Sequence, residues 1–298
     1  MPSPAASSAQ HYIAMAAARM EAAGLCFGHG TDNAWDEACW LLETLLRREG
    51  ISDIHADLRL TPTQTAAADA LLDVRIATRK PLAYLLQEAW FCGVPFYVDE
   101  RVLVPRSPLA ELITNGFDPL LRQPPRRILD LCCGSGCIGL ACALAFPEAE
   151  VVLADLSEDA LAVAAINRDS FALAERVSLV QSDLFASLEG RFDLIVTNPP
   201  YVGQEEYDTL PEEFKREPAL GLVSEDAGLD IPRRILVQAA DYLEPEGVLV
   251  LETGATWELL AAAYPKLPFL WLEFEHGGEG VCALRCEELL AGRAGGIL

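Results

Sequence analysis

Basic residues are scarce in this chain of 298: 22 Lys and Arg stand against 45 Asp and Glu, a formal net charge of −23. That balance argues against a long, non-specific grip on nucleic acid, which needs clustered cations on phosphates, so no direct nucleic-acid binding is expected. An acidic surface suits a basic partner, because opposite fields speed encounter, and it also serves solubility. Long apolar runs are missing as well. No stretch reaches the ~18 residues of a spanning helix, so no membrane association is expected. The opening MPSPAASSAQ has no basic segment followed by an apolar core, and without a secretory signal the expected location is the cytoplasm. Metal-binding spacing is absent too. The four histidines (His11, His29, His55, His276) are scattered, and the nine cysteines contain no paired CxxC spacing. Cys132, Cys133 and Cys137 cluster and Cys282 and Cys286 lie four apart; they read as free thiols in a reducing compartment, with no metal. At 51% hydrophobic and 22% charged, the composition is that of a globular protein with core enough for one large domain or for a large and a small one.

Residues 10 to about 85 carry helical periodicity: Ile13, Ala17 and Met20 recur at helical spacing, as do Ala38, Leu41, Leu42 and Leu45. Thr61-Pro62 reads as an N-cap followed by proline at the first helical position. The texture then changes. AWFCGVPFYVDERVLV, aromatic and β-branched around Gly93, predicts a hairpin within 89 to 104, and Ser107-Pro108 predicts a helix running to Gln123-Pro124-Pro125. From Arg126 strands and helices alternate. RRILDLC, EVVLADL, RVSLVQSD, FDLIVTN and GVLVLE are short continuous apolar runs, as expected of strands buried on both faces, with helical stretches between them. This order predicts a doubly wound, mostly parallel sheet. FLWLEFE and VCALRC, separated by HGGEG, predict an antiparallel pair that closes it.

The first of these strands runs into Asp130-Leu131-Cys132-Cys133-Gly134-Ser135-Gly136-Cys137, where glycines let the backbone turn tightly beside a helix N-terminus. Gly134, Gly136 and Gly139 satisfy GxGxxG, and Asp155 ends the second strand 19 residues past Gly136. Both facts fit a nicotinamide dinucleotide site, so an NAD-dependent oxidoreductase is one reading. Two acids favour S-adenosylmethionine. Asp130, at the mouth of the first strand, would repel a pyrophosphate but could anchor an ammonium group, directly or through water. Asp183, ending the third strand in Gln181-Ser182-Asp183-Leu184, could accept from an adenine amino group, and Asp155 from ribose hydroxyls in either reading. The bland alternative is that strand-end aspartates only cap the helices that follow.

FDLIVTN stops in Asn198-Pro199-Pro200-Tyr201. Two prolines cannot continue a ladder, which leaves carbonyls free. Asn198 adds a side-chain acceptor and Tyr201 a flat aromatic face. A planar NH2 group could lie on that face with one hydrogen accepted by Asn198 and the other by the Pro199 carbonyl: a seat for an amide or an exocyclic amine. A rigid turn closing a buried strand would also explain a bare Asn-Pro-Pro.

The glycine loop, Asp155, Asp183 and NPPY together resemble class I methyltransferases that modify planar nitrogens. Two groups carry this element, the nucleic-acid adenine methyltransferases and the protein glutamine methyltransferases. Residues 79 to 113 (RKPLAYLLQEAWFCGVPFYVDERVLVPRSPLAELI) and 217 to 236 (EPALGLVSEDAGLDIPRRIL) resemble the second group, and the likeness spans about the last three-quarters of the chain. Within it, Pro105-Arg106-Ser107-Pro108 and WLEFEHGGEGV are similar to the branch acting on large-subunit ribosomal protein L-three. The release-factor branch typically has proline and acid after the arginine. Cys133 stands where Thr or Ser is common, and Glu252-Thr253-Gly254-Ala255 where Glu-x-Gly-Asn is usual.

The resemblance implies a Rossmann-like class I α/β sheet (126–298), a small N-terminal helical substrate-recognition domain (1–88), and a hairpin and linker helix between them (89–125). It implies S-adenosylmethionine held by Asp130, Cys132, Cys133, Gly134, Ser135, Gly136, Asp155, Asp183, Leu184 and Asn198. The substrate would meet Arg106, Asn198, Pro199, Pro200 and Tyr201, the last four forming the catalytic element. The implied reaction is methylation of a glutamine side-chain amide on ribosomal protein L-three, a basic partner. The alternatives are a release-factor glutamine methyltransferase, an exocyclic-amine methyltransferase of nucleic acid, and the oxidoreductase.

Overall fold

The five continuous apolar runs form five adjacent strands of a seven-stranded sheet in the computed structural model, which describes residues 8–298. The chain divides into two compact units, residues 8–89 with 211–216, and residues 90–210 with 217–298.

In the first unit, α1 (Ala9–Ala22), α2 (Ala34–Arg48), α3 (Pro62–Thr78) and the short α4 (Leu82–Leu86) pack around Tyr12, Met20, Leu41, Leu42, Leu46 and Leu72. Helix α3 starts where the sequence places it. The Thr61 hydroxyl accepts from Gln64 N–H, the Gln64 side chain accepts from Thr61 N–H, and Pro62 needs no partner at the first position. The unit also buries charge. Arg75 is fully buried and donates through Nε to Glu37 Oε1 at 2.7 Å and through Nη2 to the Cys26 carbonyl at 3.1 Å. Glu213, from the returning segment, accepts from Cys26 N–H at 3.0 Å and Arg79 Nη1 at 2.9 Å. That a six-residue stretch comes back to this unit has no local signature in the sequence.

The second unit opens with a hairpin, β1 (Ala89–Phe91) and β2 (Val94–Phe96), turning through Cys92 and Gly93, both at positive φ. Pairing ends early. Tyr97 N–H goes instead to the Asn167 side chain at 2.7 Å, so the ribbon is shorter than the run to 104 suggests. Helix α5 (Leu109–Thr114) likewise stops well before the prolines at 124–125, because Gly116 and Phe117 take left-handed conformations that a helix cannot continue through.

The large sheet then assembles from β3 (Arg127–Leu131), β4 (Glu150–Asp155), β5 (Val177–Gln181), β6 (Phe192–Thr197), β7 (Leu243–Glu252), β8 (Leu270–Trp271) and β9 (Val281–Arg285), in the spatial order β5-β4-β3-β6-β7-β9-β8. Strands β3 to β7 run parallel, while β9 is antiparallel to β7 and β8 antiparallel to β9. Alternate residues serve opposite faces: Leu194 and Val196 join one core layer and Ile195 the other, as do Val248 and Val250 against Leu249 and Leu251. Helices α6 (Cys137–Ala145) and α7 (Glu158–Ser170) cover the first face; α9 (Asp230–Tyr242), α10 (Trp257–Ala263) and α11 (Cys286–Ala294) serve the second, and α8 (Gln204–Thr209) follows NPPY. Only Leu270 and Trp271 of FLWLEFE form a strand. Leu272 N–H still reaches the Val281 carbonyl, but Glu275 N–H turns to the Glu111 carboxylate, which draws the segment off the sheet edge.

Chain order builds outward from β3 through β4 to β5, then resumes on the other side of β3 with β6. This is a topological switch point, and the crevice beyond the strand ends there is where open α/β sheets bind ligands.

Candidate active site

Register places the ends of β3 and β6 side by side at that switch point: Asp130 pairs with Val196 and Leu131 with Thr197. The Thr197 hydroxyl donates to the Leu131 carbonyl at 2.7 Å, which ties the exit of the glycine loop to the entry of NPPY. Above them lies a cleft of about 290 Å³, close to the lower end of the ~300–1,000 Å³ typical of small-molecule sites. Its walls include Cys132 to Ser135, Asp155, Asp183, Leu184, Asn198 to Val202, Arg101 to Ser107, Arg234 and Glu252, all within the second unit.

The loop after β3 turns through Cys132, Gly134 and Gly136, all at positive φ. A Cβ on Gly134 would meet nothing within 4 Å, so the backbone there faces open space. Gly139 serves a different purpose. A Cβ on it would lie 2.3 Å from Leu153 and 2.7 Å from the Asp130 Cβ, so only glycine lets α6 pack this close to the strands. Asn167 of α7 clamps the loop by donating to the Ser135 and Tyr97 carbonyls at 2.9 and 3.0 Å. Nothing in its surrounding helical pattern singles it out.

The three acids occupy three different environments. Asp155 lines the cleft with each oxygen already accepting one backbone N–H: Oδ2 from Gly134 at 2.8 Å, Oδ1 from Ser157 at 2.9 Å. Burial pushes its carboxyl up, against the backbone bonds from Ser157, Gly134 and Leu156. With about four acceptor sites, the carboxylate keeps capacity for a further donor. Asp183 lines the cleft from an exposed position and accepts from Arg234 Nη2 at 2.6 Å. Asp130 corrects the sequence expectation of an acid at the mouth. It is fully buried and absent from the cleft wall, as is Gly136, and its Oδ2 accepts from Gly139 N–H at 2.7 Å within the first turn of α6. The geometry is that of a helix cap, displaced behind the loop because α6 sits so close. Its Oδ1 has no hydrogen-bond partner, and burial pushes the carboxyl up to about 8.

At the other end of the cleft, Asn198 is half-buried and Pro199 buried, and Pro200 and Tyr201 complete the wall. The Tyr201 ring lies on the Gly254 backbone: a Cβ on Gly254 would stand 2.6 to 2.9 Å from three ring and hydroxyl atoms. The following Val202 is pinned on both sides, its N–H donating to the Leu222 carbonyl at 2.8 Å and its carbonyl accepting from Ser224 N–H at 2.9 Å. Arg106 faces the cleft but is committed to Glu217 in a two-pronged pair, Nη1 to Oε1 and Nη2 to Oε2, each 2.7 Å. Glu217 also accepts from Val104 N–H at 2.9 Å. Glu217 and Glu252 are residues to which the sequence reading gave no role; Glu217 stands in a stretch singled out only by resemblance, and Glu252 ends the apolar run GVLVLE.

The methyltransferase small domain family matches residues 112–225. Ribosomal protein uL3 glutamine methyltransferase of Francisella tularensis subsp. tularensis (strain SCHU S4 / Schu 4) is 43% identical over 285 residues, 94% of this chain and 90% of that protein. The protein of the same name from Neisseria meningitidis serogroup B is 44% identical over 283 residues, 94% of this chain and 93% of its own length. The chain belongs to this glutamine methyltransferase family. It is a methyltransferase with S-adenosylmethionine as cofactor, and the oxidoreductase reading of its glycines is set aside. The hMettl16 catalytic domain, in complex with the MAT2A 3′UTR hairpin 6, shares the fold at 15% identity with a TM-score of 0.50, covering 79% of this chain and 86% of that one. The cleft fits the cofactor: an open backbone face at Gly134 and a carboxylate, Asp155, on the wall with acceptor oxygens for hydroxyl groups.

Proposed function

We propose that this chain methylates a glutamine side-chain amide of the large-subunit ribosomal protein uL3. The observation that carries the reading is near full-length identity of 43–44% to two methyltransferases named for that substrate, in a chain whose NPPY and glycine loop line one cleft. The net charge of −23 suits a basic protein partner.

Asp155 takes the ribose hydroxyls, and Gly134 and Ser135 present backbone to the amino-acid part; Asp130 acts behind the loop, capping α6 through Gly139 N–H. Cys132, Cys133, Gly136 and Leu184 shape the loop and wall, and Asp183 accepts from the adenine amino group by exchanging its exposed Arg234 pair, a contact of small net worth. When bound, S-adenosylmethionine would supply an activated sulfonium methyl for the amide nitrogen, the C–S electron pair leaving on sulfur and the proton shed by the nitrogen passing to solvent.

An amide nitrogen is a poor nucleophile because its lone pair is delocalised into the carbonyl, so this chain's task is placement and charge stabilisation. Asn198 Oδ1 and the Pro199 carbonyl accept the two amide hydrogens, which become more acidic as the nitrogen attacks. Both bonds therefore strengthen toward the transition state, an oxyanion hole with its sign reversed. Pro200 removes a competing N–H donor from the turn, and Tyr201 packs on the amide plane. Arg106, held by Glu217, stands at the edge of the acceptor seat. The helical unit is the part assigned to recognition of the protein substrate.

The test is methyl transfer from S-adenosylmethionine to isolated ribosomal protein uL3, with a peptide-chain release factor as the comparison acceptor. Transfer to a uL3 glutamine supports the reading; transfer to the release factor alone moves the substrate. Asn198→Ala lowers kcat by about 10²–10³, as loss of one preorganised transition-state partner does elsewhere, while cofactor affinity stays within a few-fold. Unchanged turnover in that variant defeats the assigned role.

A further inference from the structure

Ser107, Tyr201 and Glu252 come from three separate parts of the chain and meet at one side of the cleft. Glu252, the last residue of β7, is buried. Its Oε2 accepts from the Ser107 hydroxyl at 2.5 Å, and its Oε1 accepts from the Tyr201 hydroxyl at 3.4 Å. Ser107 Oγ also accepts from Leu109 N–H at 3.1 Å, which anchors the network to the start of α5. A carboxylate on the inner strands of a sheet is costly unless its lone pairs are used, and here each oxygen has a donor aimed at it.

We propose that Glu252 is a positioning residue for methyl transfer: bridging Ser107 and Tyr201, it fixes the Tyr201 ring against Gly254 so that its face forms one wall of the acceptor seat. The inference rests on the methyl-transfer reading and adds to it a residue outside the tetrapeptide. Without the bridge, the Tyr201 hydroxyl loses its carboxylate partner, and the ring can tilt into the seat.

The bridge depends on ionisation. A carboxylate accepts at both oxygens in charge-assisted bonds, whereas the protonated acid must donate from one of them, so one hydroxyl has to reverse and both bonds become neutral and weaker. Burial pushes the Glu252 carboxyl up to about 7, against the Ser107 and Tyr201 hydrogen bonds and the nearby Arg106 guanidinium, which favour the ionised form. Those are the charged and titratable groups that face it, from the segment before α5 and the turn after β6. On its own sheet its partner across the ladder is the apolar Val281. Positioning of Tyr201 therefore weakens as pH falls through about 7.

Two measurements test this. In the first, kcat against pH is compared for wild type, Glu252→Gln and Glu252→Ala. Wild type shows an acid limb near 7. Glu252→Gln loses that limb and runs about tenfold below wild type on the alkaline side, and Glu252→Ala about a hundredfold, the range for losing one or two hydrogen bonds to a charged group. KM for S-adenosylmethionine stays within threefold in both. An acid limb retained in Glu252→Gln, or full turnover in Glu252→Ala, overturns the proposal. The second needs no turnover: 19F NMR of protein carrying 3-fluorotyrosine, with the Tyr201 resonance assigned by its loss in Tyr201→Phe. That resonance moves with an apparent pKa near 7 in wild type and is flat in Glu252→Gln. A resonance flat from pH 5 to 9 in wild type overturns the inference even if the protein methylates nothing, an outcome that would separately defeat the functional reading.

Discussion

Asp155→Ala asks the sharpest question of the cofactor end, because the structure counts the acceptor sites. Each carboxylate oxygen offers about two lone-pair sites, and one on each is filled by Gly134 and Ser157 N–H. Asp155 lines the cleft, and the proposed role gives its remaining acceptor capacity to the two ribose hydroxyls. A hydrogen bond to a charged group contributes about 1.5–3 kcal/mol net, so losing two removes roughly 3–6 kcal/mol. Water admitted by the truncation rehydrates the ribose hydroxyls, which puts the expected loss at the lower end. At about 1.4 kcal/mol per tenfold, 3 kcal/mol is a hundredfold or slightly more in Kd. The loop loses its own anchor as well, at a cost of about 1–2 kcal/mol of folding stability. Titration calorimetry with S-adenosylmethionine and with S-adenosylhomocysteine measures the first quantity, and urea unfolding the second. Both ligands should weaken alike, since the ribose is common to them. A Kd within threefold of wild type for both, in a protein that still folds, refutes the ribose role.

Three further outcomes follow from the buried charges. Asp130 keeps its proton in the fold up to about 8 but ionises near 3.9 when unfolded, so the folded state binds the extra proton between those values. This group then lowers stability by about 1.4 kcal/mol per pH unit as pH rises through that window, and Asp130→Asn, which cannot titrate, gains on wild type between pH 5 and 8. A pH-independent difference in urea unfolding contradicts this. Glu217→Ala leaves Arg106 and Val104 N–H without their carboxylate, a loss of about 3–5 kcal/mol, and releases Arg106 at the edge of the seat. Full stability and unchanged kcat/KM in that variant would free Arg106 from any dependence on Glu217. Arg75→Met, which strands Glu37 in the helical unit while Glu213 keeps Arg79, destabilises by a similar ~3–5 kcal/mol; a loss below 1 kcal/mol would show Glu37 to be protonated already.

The sheet was legible because each central strand is a continuous apolar run and each end is marked by a chemical residue: Asp130, Asp155, Asp183, Asn198. Elements at the sheet edge were not. FLWLEFE has the composition of a full strand, yet Glu275 N–H finds the Glu111 carboxylate and the segment peels away after Leu272, a choice made by a residue 164 positions off. Helix α5 stops at Thr114 through the left-handed Gly116 and Phe117, and only the glycine hints at that in sequence. Asp130 shows a subtler limit. Its position at a strand end was readable, but whether its carboxylate faces the cleft or caps α6 depends on how near Gly139 lets the helix approach. The Ser107–Glu252–Tyr201 contact joins residues up to 145 apart, so no spacing rule could have assembled it.

Chemistry and substrate meet in one measurement. The purified chain is incubated with labelled S-adenosylmethionine and an extract from cells lacking this gene, and the labelled species are identified by mass spectrometry down to the modified atom. Label on the side-chain nitrogen of a glutamine in ribosomal protein uL3 is the predicted result. Label on RNA or DNA, or on a protein residue other than glutamine, would contradict the assignment of the Asn198-Pro199-Pro200-Tyr201 seat to a glutamine amide.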